Sequence, residues 1–427
     1  MTVLDTINAS GFSTYLYGVG AIDFWLTGKI TNKYLHILTD ADITDLAKLF
    51  DNLRYPGINL ADAALDEADK TFYFRCLDSE NDKLSQSQML SKGQHLSKEQ
   101  QQSQRQQLSF GQHSAFALLD FYRDCKTNTF IDPHGIYPIL IKIRKQIINL
   151  QGIITAQDEK NCLSEIFSEG YKLSIDDNHI LTDAALILSK YFTHDCVTDK
   201  DIKKIAAQLK NFNNDSGQEE QRVFLSELIT SPNPGLGFEL LKAGGFIKKH
   251  WPELAILEQA DHSKEFHPEG NAWEHTMETF RHRKQGFLNA VGSFDIRLSL
   301  GLLLHDIGKP IAKSTGNHRY ESHAELGEIQ ARRFLERLGF NASITRDICF
   351  LVRNHMLPAA LPRLPLFRTE QIMSSDLFPL LMELYRCDES SSFKGLDGYY
   401  ESSAAYQQFL KNRRNPYRTT DGKKLNK

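Results

Sequence analysis

Apolar positions recur along this chain at two spacings, one confined to the first third and the other dominant beyond it. In the first third, short β-branched and aromatic runs alternate with helical ones. STYLYGVG reads as a strand entering a glycine turn, AIDFWLTGK as a short helix, KYLHILT as a second strand and TFYFRCL as a third. ADITDLAKLFDNL places Ile43, Leu46, Ala47 and Leu53 near one helical face, with Asp42 as N-cap. From about Tyr137 onward the period is helical. DIKKIAAQLKNF carries Ile202, Ile205, Ala206 and Leu209 on one stripe, and EQRVFLSELI forms another helix. Further on, ARRFLERL puts Ala331, Phe334, Leu335 and Leu338 on one face, with Gly339 as the residue just past the helix. Ser343 is the expected cap of the next helix.

The same phase test singles out polar residues that end apolar rows. His305 is in step with Leu298 and Leu302, His355 with Ile344, Ile348, Leu351 and Val352, and Asp388 with Leu377, Leu380, Leu381 and Leu384. His275 lies among Trp273, Met277 and Phe280 without a clear phase. An ionised carboxylate facing a core is costly unless it is paired or holds a metal. Imidazoles and carboxylates together suit Mn, Ni, Co, Mg, Fe or Zn, and the lack of nearby thiolate pairs argues against a structural zinc cage. Eight of the fifteen histidines fall between His262 and His355.

Composition changes this picture little. At 427 residues the chain is long enough for two or three domains. A net charge of -4 gives no whole-chain signal for nucleic acid. Six scattered cysteines with no CxxC pair suit a reducing compartment. No signal peptide or membrane-length apolar run is present, so the expected setting is cytoplasmic, with no membrane partner. Between Ser85 and Gln107, fourteen of twenty-three residues are Gln or Ser, which reads as a disordered surface insertion or an interaction tether. Lys203, Lys204 and Lys210 suit either RNA phosphates or a solvated face. So does the C-terminal run with Tyr417, which has seven Lys or Arg against one Asp.

The motifs HPEGNAWEHT, LLLHDIGKP, SHAELG and VRNHM, in that order, resemble the HD domain of bacterial tRNA nucleotidyltransferases and poly(A) polymerases. SPNPGLGFELLKAGGFIKKHWPEL upstream resembles the segment that enters that domain. The resemblance implies metal ligation by His275, His305, Asp306 and Asp388, with His323 and His355 completing a second position. It implies catalytic roles for Asp306 and Lys309, with His267 and Glu274 supporting the ligands. The N-terminal third is similar to the nucleotidyltransferase head of the same family, with departures. Gly18-Val19 stands for paired glycines and Ile22-Asp23 for an Arg-Asp pair. Tyr34 and His36 occupy the positions of the two metal-binding aspartates, while Asp40 and Asp42 read as helix-capping residues. Phe110-Gly111-Gln112 and Phe116-Ala117 stand where the family places its second nucleotide-binding segment.

The expected fold is α+β: a small mixed α/β nucleotidyltransferase-like head, a mostly helical neck and body, and an all-α HD domain. The expected boundaries are 1–145 for the head (with the Gln/Ser-rich insertion at 85–112), 146–245 for the neck and body, 246–400 for the HD domain, and 401–427 for a basic tail. The expected function is a metal-dependent HD phosphohydrolase acting on phosphate esters of nucleotides or RNA ends, 2′,3′-cyclic phosphates included, with an inactive transferase head. Expected partners are a nucleotide or an RNA 3′ end, tRNA among them. Two alternatives stand beside it: an active tRNA nucleotidyltransferase or poly(A) polymerase, and a non-catalytic RNA-binding or regulatory protein.

Overall fold

A computed structural model describes residues 2–28, 30, 34–56, 61–67, 70–77, 121–132, 140, 180–194, 197–209, 216–260, 270–284, 294–314, 320–392 and 395–424. The Gln/Ser-rich stretch, the Phe110–Gln112 and Phe116-Ala117 segments, Lys210, His267, Cys162 and Cys196 lie outside them. The chain divides into two compact units. One comprises 1–227 and 239–244, the other 228–238 and 245–427. Among the described residues, no helix is long and apolar enough to cross a membrane. Among the described residues, Cys125, Cys349 and Cys387 are not in disulfides.

The first unit is α+β, as its sequence pattern predicts. Its strands are β1 (Thr14–Tyr17), β2 (Tyr34–Thr39), β3 (Ala63–Glu67), β4 (Lys70–Cys76), β5 (Tyr122–Asp124) and β6 (Phe130–Ile131), and they form one sheet in the order β3-β4-β2-β1-β5-β6. β2 and β4 run parallel, and the other neighbours are antiparallel. Helix α1 (Val3–Ala9) precedes the sheet, α2 (Val19–Thr27) links β1 to β2, and α3 (Ile43–Leu49) follows β2. Gly18 opens α2 at a φ of 61°, a left-handed value that glycine adopts without strain. α3 stops at Leu49, so Leu53 falls beyond the helix that its spacing suggested. Alternation along β1 and β2 buries Leu16, Leu35 and Ile37 on the helix side of the sheet. Helices α4 (Ile180–Tyr191), α5 (Asp199–Leu209) and α6 (Gln218–Thr230) follow, and α5 buries the predicted Ile202, Ile205, Ala206 and Leu209. Lys190 on α4 joins Asp23 and Glu227 in a buried ion cluster, and the Tyr191 hydroxyl donates to Asp23 Oδ1 at 2.6 Å.

The second unit is helical. Starting from α7 (Pro234–Ala243), which runs through both units, the helices used below are α8 (Ala272–Thr279), α9 (Ile296–Leu304), α10 (His323–Arg337), α11 (Ala342–Asn354), α12 (Phe378–Ser390) and α13 (Asp397–Arg413). A two-stranded ribbon, β7 (Lys313–Ser314) with β8 (Tyr320–Glu321), interrupts the all-helical pattern expected of 246–400. α13 carries helix on to Arg413, into the stretch expected to be a tail. Asn341, not Ser343, caps α11, accepting from the Ile344 N–H at 2.9 Å. The Asn carbonyl reaches the third amide of the helix as a Ser hydroxyl would have, two residues earlier than anticipated. Gly339 ends α10 at a φ of 72° as predicted. The core is rich in rings: Phe238 stacks on Phe280 at 5.9 Å and tilts against Trp251, which meets Phe334 edge-on.

Candidate metal centre

α9 delivers the central pair of ligands. Asp295 caps it, accepting from the Arg297 and Leu298 amides at 2.8 and 3.2 Å. Its run of leucines and one glycine is buried on every side, which fixes it as the central helix of the unit. His305 and Asp306 follow at its C-terminal end, and both are buried. The chain then turns sharply through Gly308. A Cβ there would lie 2.0 Å from the His323 carbonyl oxygen and 2.5 Å from the Gly327 nitrogen. Only glycine allows the turn to pass this close to the start of α10, and the closeness brings His323 to Asp306. The ribbon β7–β8 leads into α10 through Ser322, whose φ of 56° is left-handed without being glycine.

The remaining ligands come from three more helices. His275 lies on α8, His355 ends α11, and Asp388 lies on α12. Two groups of donors result. In one, His275, His305 and Asp388 offer ligand atoms within 4.8 Å of one another; in the other, Asp306, His323 and His355 do the same. His275 Nε2 is 2.9 Å from Asp388 Oδ1 and 3.4 Å from His305 Nε2. Asp306 stands between the groups. Its Oδ2 is 3.3 Å from His305 Nε2 and 4.0 Å from His275 Nε2. Its Oδ1 is 3.7 Å from His323 Nε2 and 3.8 Å from His355 Nε2.

Backbone carbonyls orient three of the rings. His305 Nδ1 donates to Leu302 O at 2.8 Å, His355 Nδ1 to Val352 O at 2.8 Å, and His323 Nδ1 to Tyr320 O at 2.9 Å. For His275 the partner is a hydroxyl. Ser391 Oγ donates to Asp388 O at 2.6 Å and so accepts from His275 Nδ1 at 3.2 Å. The three carbonyl bonds place a proton on Nδ1 and turn the Nε2 lone pair inward, the tautomer a metal needs, whereas His275 Nε2 donates to Asp388 Oδ1 and would give up that proton to an ion. Burial lowers the His323 and His355 rings, His355 to about 4, which keeps them neutral and able to coordinate. Burial by itself would raise the Asp388 carboxyl, but the hydrogen bond from His275 and the nearby imidazoles hold it well below the usual carboxylate range. Neutral Nε2 donors with ionised carboxylates between them fit a divalent cation.

Lys309 Nζ reaches Asp306 Oδ2 at 2.6 Å. Glu274 is exposed on α8 and does not join either donor group. Ser391 was not singled out in the sequence. It lies three residues past Asp388, in a Ser-rich stretch with nothing to distinguish it from its neighbours.

In the first unit, Tyr34 and His36 lie on β2 paired with Thr71 and Tyr73 of β4. The His36 ring stacks on Tyr73 at 5.7 Å and approaches Tyr17 at 5.8 Å. Asp42 caps α3, accepting from the Asp45 N–H at 2.8 Å, and Asp40 accepts from the Ser13 N–H at 2.6 Å. Among the described residues, the two donor groups of the second unit are the ones that gather three or more ligands.

Residues 273–378 match the HD domain family model. Among curated proteins, the chain is 30% identical over 196 residues to a CC-adding tRNA nucleotidyltransferase of Thermus thermophilus, covering 44% of this chain and 42% of that protein. It is 33% identical over 135 residues to a multifunctional CCA protein of Halorhodospira halophila, covering 31% of this chain and 30% of that protein. The chain thus spans less than half the length of these relatives. Among solved structures, the Bacillus stearothermophilus CCA-adding enzyme in complex with CTP aligns with 96% of this chain and 81% of its own, at 13% identity and a TM-score of 0.46.

These findings correct one expectation. The phosphohydrolase reading, with its inactive head, is overturned because the relatives are named for nucleotide addition to tRNA and for CCA. The physical error lay in reading a reaction from a donor set. Imidazoles and carboxylates determine which ion fits; they do not determine which bond is made or broken. The comparisons bear on the domain and not on the chemistry: residues 273–378 match an HD domain model, in a chain similar over part of its length to tRNA nucleotidyltransferases.

Proposed function

We propose that this protein is an enzyme of tRNA 3′-end synthesis, transferring nucleotides from CTP or ATP to a tRNA end. The observation that carries this reading is the similarity to a CC-adding tRNA nucleotidyltransferase, extending over 196 residues. The organisation proposed is a head over 1–145, a neck and body over 146–245, an HD domain over 246–400 and a basic tail over 401–427. Within the HD domain, His275, His305 and Asp388 on one side and Asp306, His323 and His355 on the other would hold the divalent ion. Such an ion would supply concentrated positive charge to bind anionic groups and would tie together side chains from five helices.

Transfer itself belongs to the head and needs carboxylates for Mg²⁺. Tyr34 and His36 provide none. The nearest carboxylates along β2 are Asp40 and Asp42, both exposed and separated by one residue. The test is extension of a tRNA lacking its terminal nucleotides, using labelled CTP and ATP with Mg²⁺. Extension is expected, and Asp40→Asn with Asp42→Asn should reduce it. No extension, at any nucleotide or metal concentration, would defeat the reading.

The ring stack at His36 favours a second reading, in which the protein binds the tRNA end without adding to it and the HD-domain ion is structural. Salt-sensitive tRNA binding without extension is the result that separates the two.

A further inference from the structure

Helix α13 ends in an ordered hook. The Arg414 N–H donates to Leu410 O at 3.1 Å, and the Asn415 N–H to Asn412 O at 2.9 Å. The chain then reverses, with the Thr419 N–H donating to Lys423 O at 2.8 Å and Arg418 bridged to Lys424. Buried Asn412 locks the reversal to the helix: its side chain donates to Thr420 O at 3.2 Å and accepts from Gln408 Nε2 at 2.9 Å. Gly422, at a φ of 85°, lies against the same side chain, where a Cβ would be 3.0 Å from Asn412 Nδ2. Between 411 and 424, six cations (Lys411, Arg413, Arg414, Arg418, Lys423 and Lys424) are exposed beside a single carboxylate, Asp421. We propose that this hook is a docking surface for the phosphate backbone of RNA. The proposal rests on the reading above only in taking RNA as the partner.

The charge is local and largely uncompensated. The chain as a whole carries a net charge of -4, so general basicity does not explain the hook. Asp421 pairs with Lys423 at 3.0 Å. Among the described residues, no carboxylate pairs with Lys411, Arg413, Arg414 or Lys424. Cations gathered on one short element attract a polyanion, which releases its own counterions on binding. The planar forks of Arg413 and Arg414 match pairs of phosphate oxygens. Because the reversal is already folded, docking orders little new backbone. The exposed residues of 411–424 are charged apart from Pro416 and Tyr417, so the hook has no apolar face to enter a bilayer. The Tyr417 ring, 65% exposed beside Arg418, offers a stacking surface that suits a base better than an acidic peptide.

The experiment titrates labelled tRNA with the full chain, without CTP or ATP, and follows fluorescence anisotropy between roughly 50 and 200 mM salt. One variant combines Arg413→Gln, Arg414→Gln and Lys424→Gln, leaving the Asn412 and Arg418 hydrogen bonds in place. It is expected to bind at least roughly tenfold more weakly at low salt, with a slope of log affinity against log salt shallower by about 2. A second variant, Arg413→Lys with Arg414→Lys and Lys424→Arg, keeps the charge and should bind as wild type. Equal affinity and slope in the glutamine variant would overturn the proposal. So would an equal loss in the charge-keeping variant, no tRNA binding by the wild type, or tighter binding to phosphatidylserine vesicles or polyglutamate than to tRNA. Nucleotide addition is assayed separately. Extension by a wild type whose glutamine variant binds tRNA equally well would sink the hook and spare the transfer reading. Charge-dependent binding without extension would do the reverse.

Discussion

Replacing Gly308 with alanine tests the packing that assembles the metal centre. The added methyl would sit 2.0 Å from the His323 carbonyl oxygen and 2.5 Å from the Gly327 nitrogen. Both obstacles are backbone, so no rotamer change relieves them. Real Cβ atoms essentially never come within 3.0 Å of such atoms, so the turn and the start of α10 must part by about 1 Å. Overpacking of this kind costs about 1–3 kcal/mol. With backbone on both sides, about 3 kcal/mol is the reasonable figure. For a unit of this size that lowers Tm by roughly 6–12 °C. The same separation pulls His323 away from Asp306, 3.7 Å apart in the native site, so divalent-ion affinity should fall by more than the stability loss explains. Calorimetric melting with and without Mn²⁺, together with isothermal titration, measures both effects. A Gly308→Ala protein that melts within roughly 2 °C of wild type and binds metal equally well would refute the close approach and the site built on it.

Other features of the second unit lend themselves to similar tests. Arg283 donates to Ile229 O at 2.6 Å, to Ser231 O at 2.8 Å and to Ser299 Oγ at 2.8 Å. Arg283→Met leaves those buried acceptors unmatched and should cost about 3 kcal/mol in urea unfolding; an unchanged midpoint would show that water replaces the guanidinium. Chelation should lower the melting temperature, because an ion at about a hundred times its dissociation constant stabilises by ~2.7 kcal/mol. Identical melts with chelator and with Mn²⁺ would argue against any ion in the HD domain. Asp388→Asn keeps size and loses charge, so it should weaken ion binding and, by taking away the partner of His275, lower the apo melting temperature as well; an unchanged apo melt would show that the pair adds nothing to stability.

The gathering of the donor side chains was partly legible because helical phase is a strong signal where helices are long and uniform. His355 and Asp388 end rows of apolar residues on thirteen-residue helices, and both join the donor groups. His275 was harder to place by phase, since α8 has eight residues and buries most of them, leaving no polar face for contrast. His323 has no apolar row leading to it at all. A ribbon and a strained Ser322 set its position, and its identification came from motif resemblance. In the head, the strands with aromatic and β-branched runs were readable, but β3 was not. Ala63 and Ala64 are weak strand formers, and pairing with β4 makes them a strand. α1 was missed for a similar reason: seven residues give too little periodicity, and its start is set by the reciprocal capping of Thr2 and Asp5. The crossing at Gly308 is a tertiary fact, invisible until both segments are in place.

The overturned reading has a physical lesson in where the ligands reside. His275, His305, His323, His355 and Asp388 each come from a different helix or helix end, and Asp306 lies between them. Burying so many imidazoles and carboxylates together costs desolvation, which a bound cation offsets. Remove the ion, and the carboxylates must rely on imidazoles and on Lys309 for compensation. With an ion bound, such a cluster would be maintained by the folding stability that the ion contributes, whatever reaction the rest of the chain performs. On β2 the situation is reversed. A carboxylate there has no packing role to preserve it, and an aromatic ring gains stacking on Tyr73 and Tyr17. Clustered imidazoles and carboxylates in the region that matches the HD domain model thus say little about hydrolysis. Extension of a tRNA end, by contrast, tests the proposed transfer itself, which no packing argument on β2 replaces.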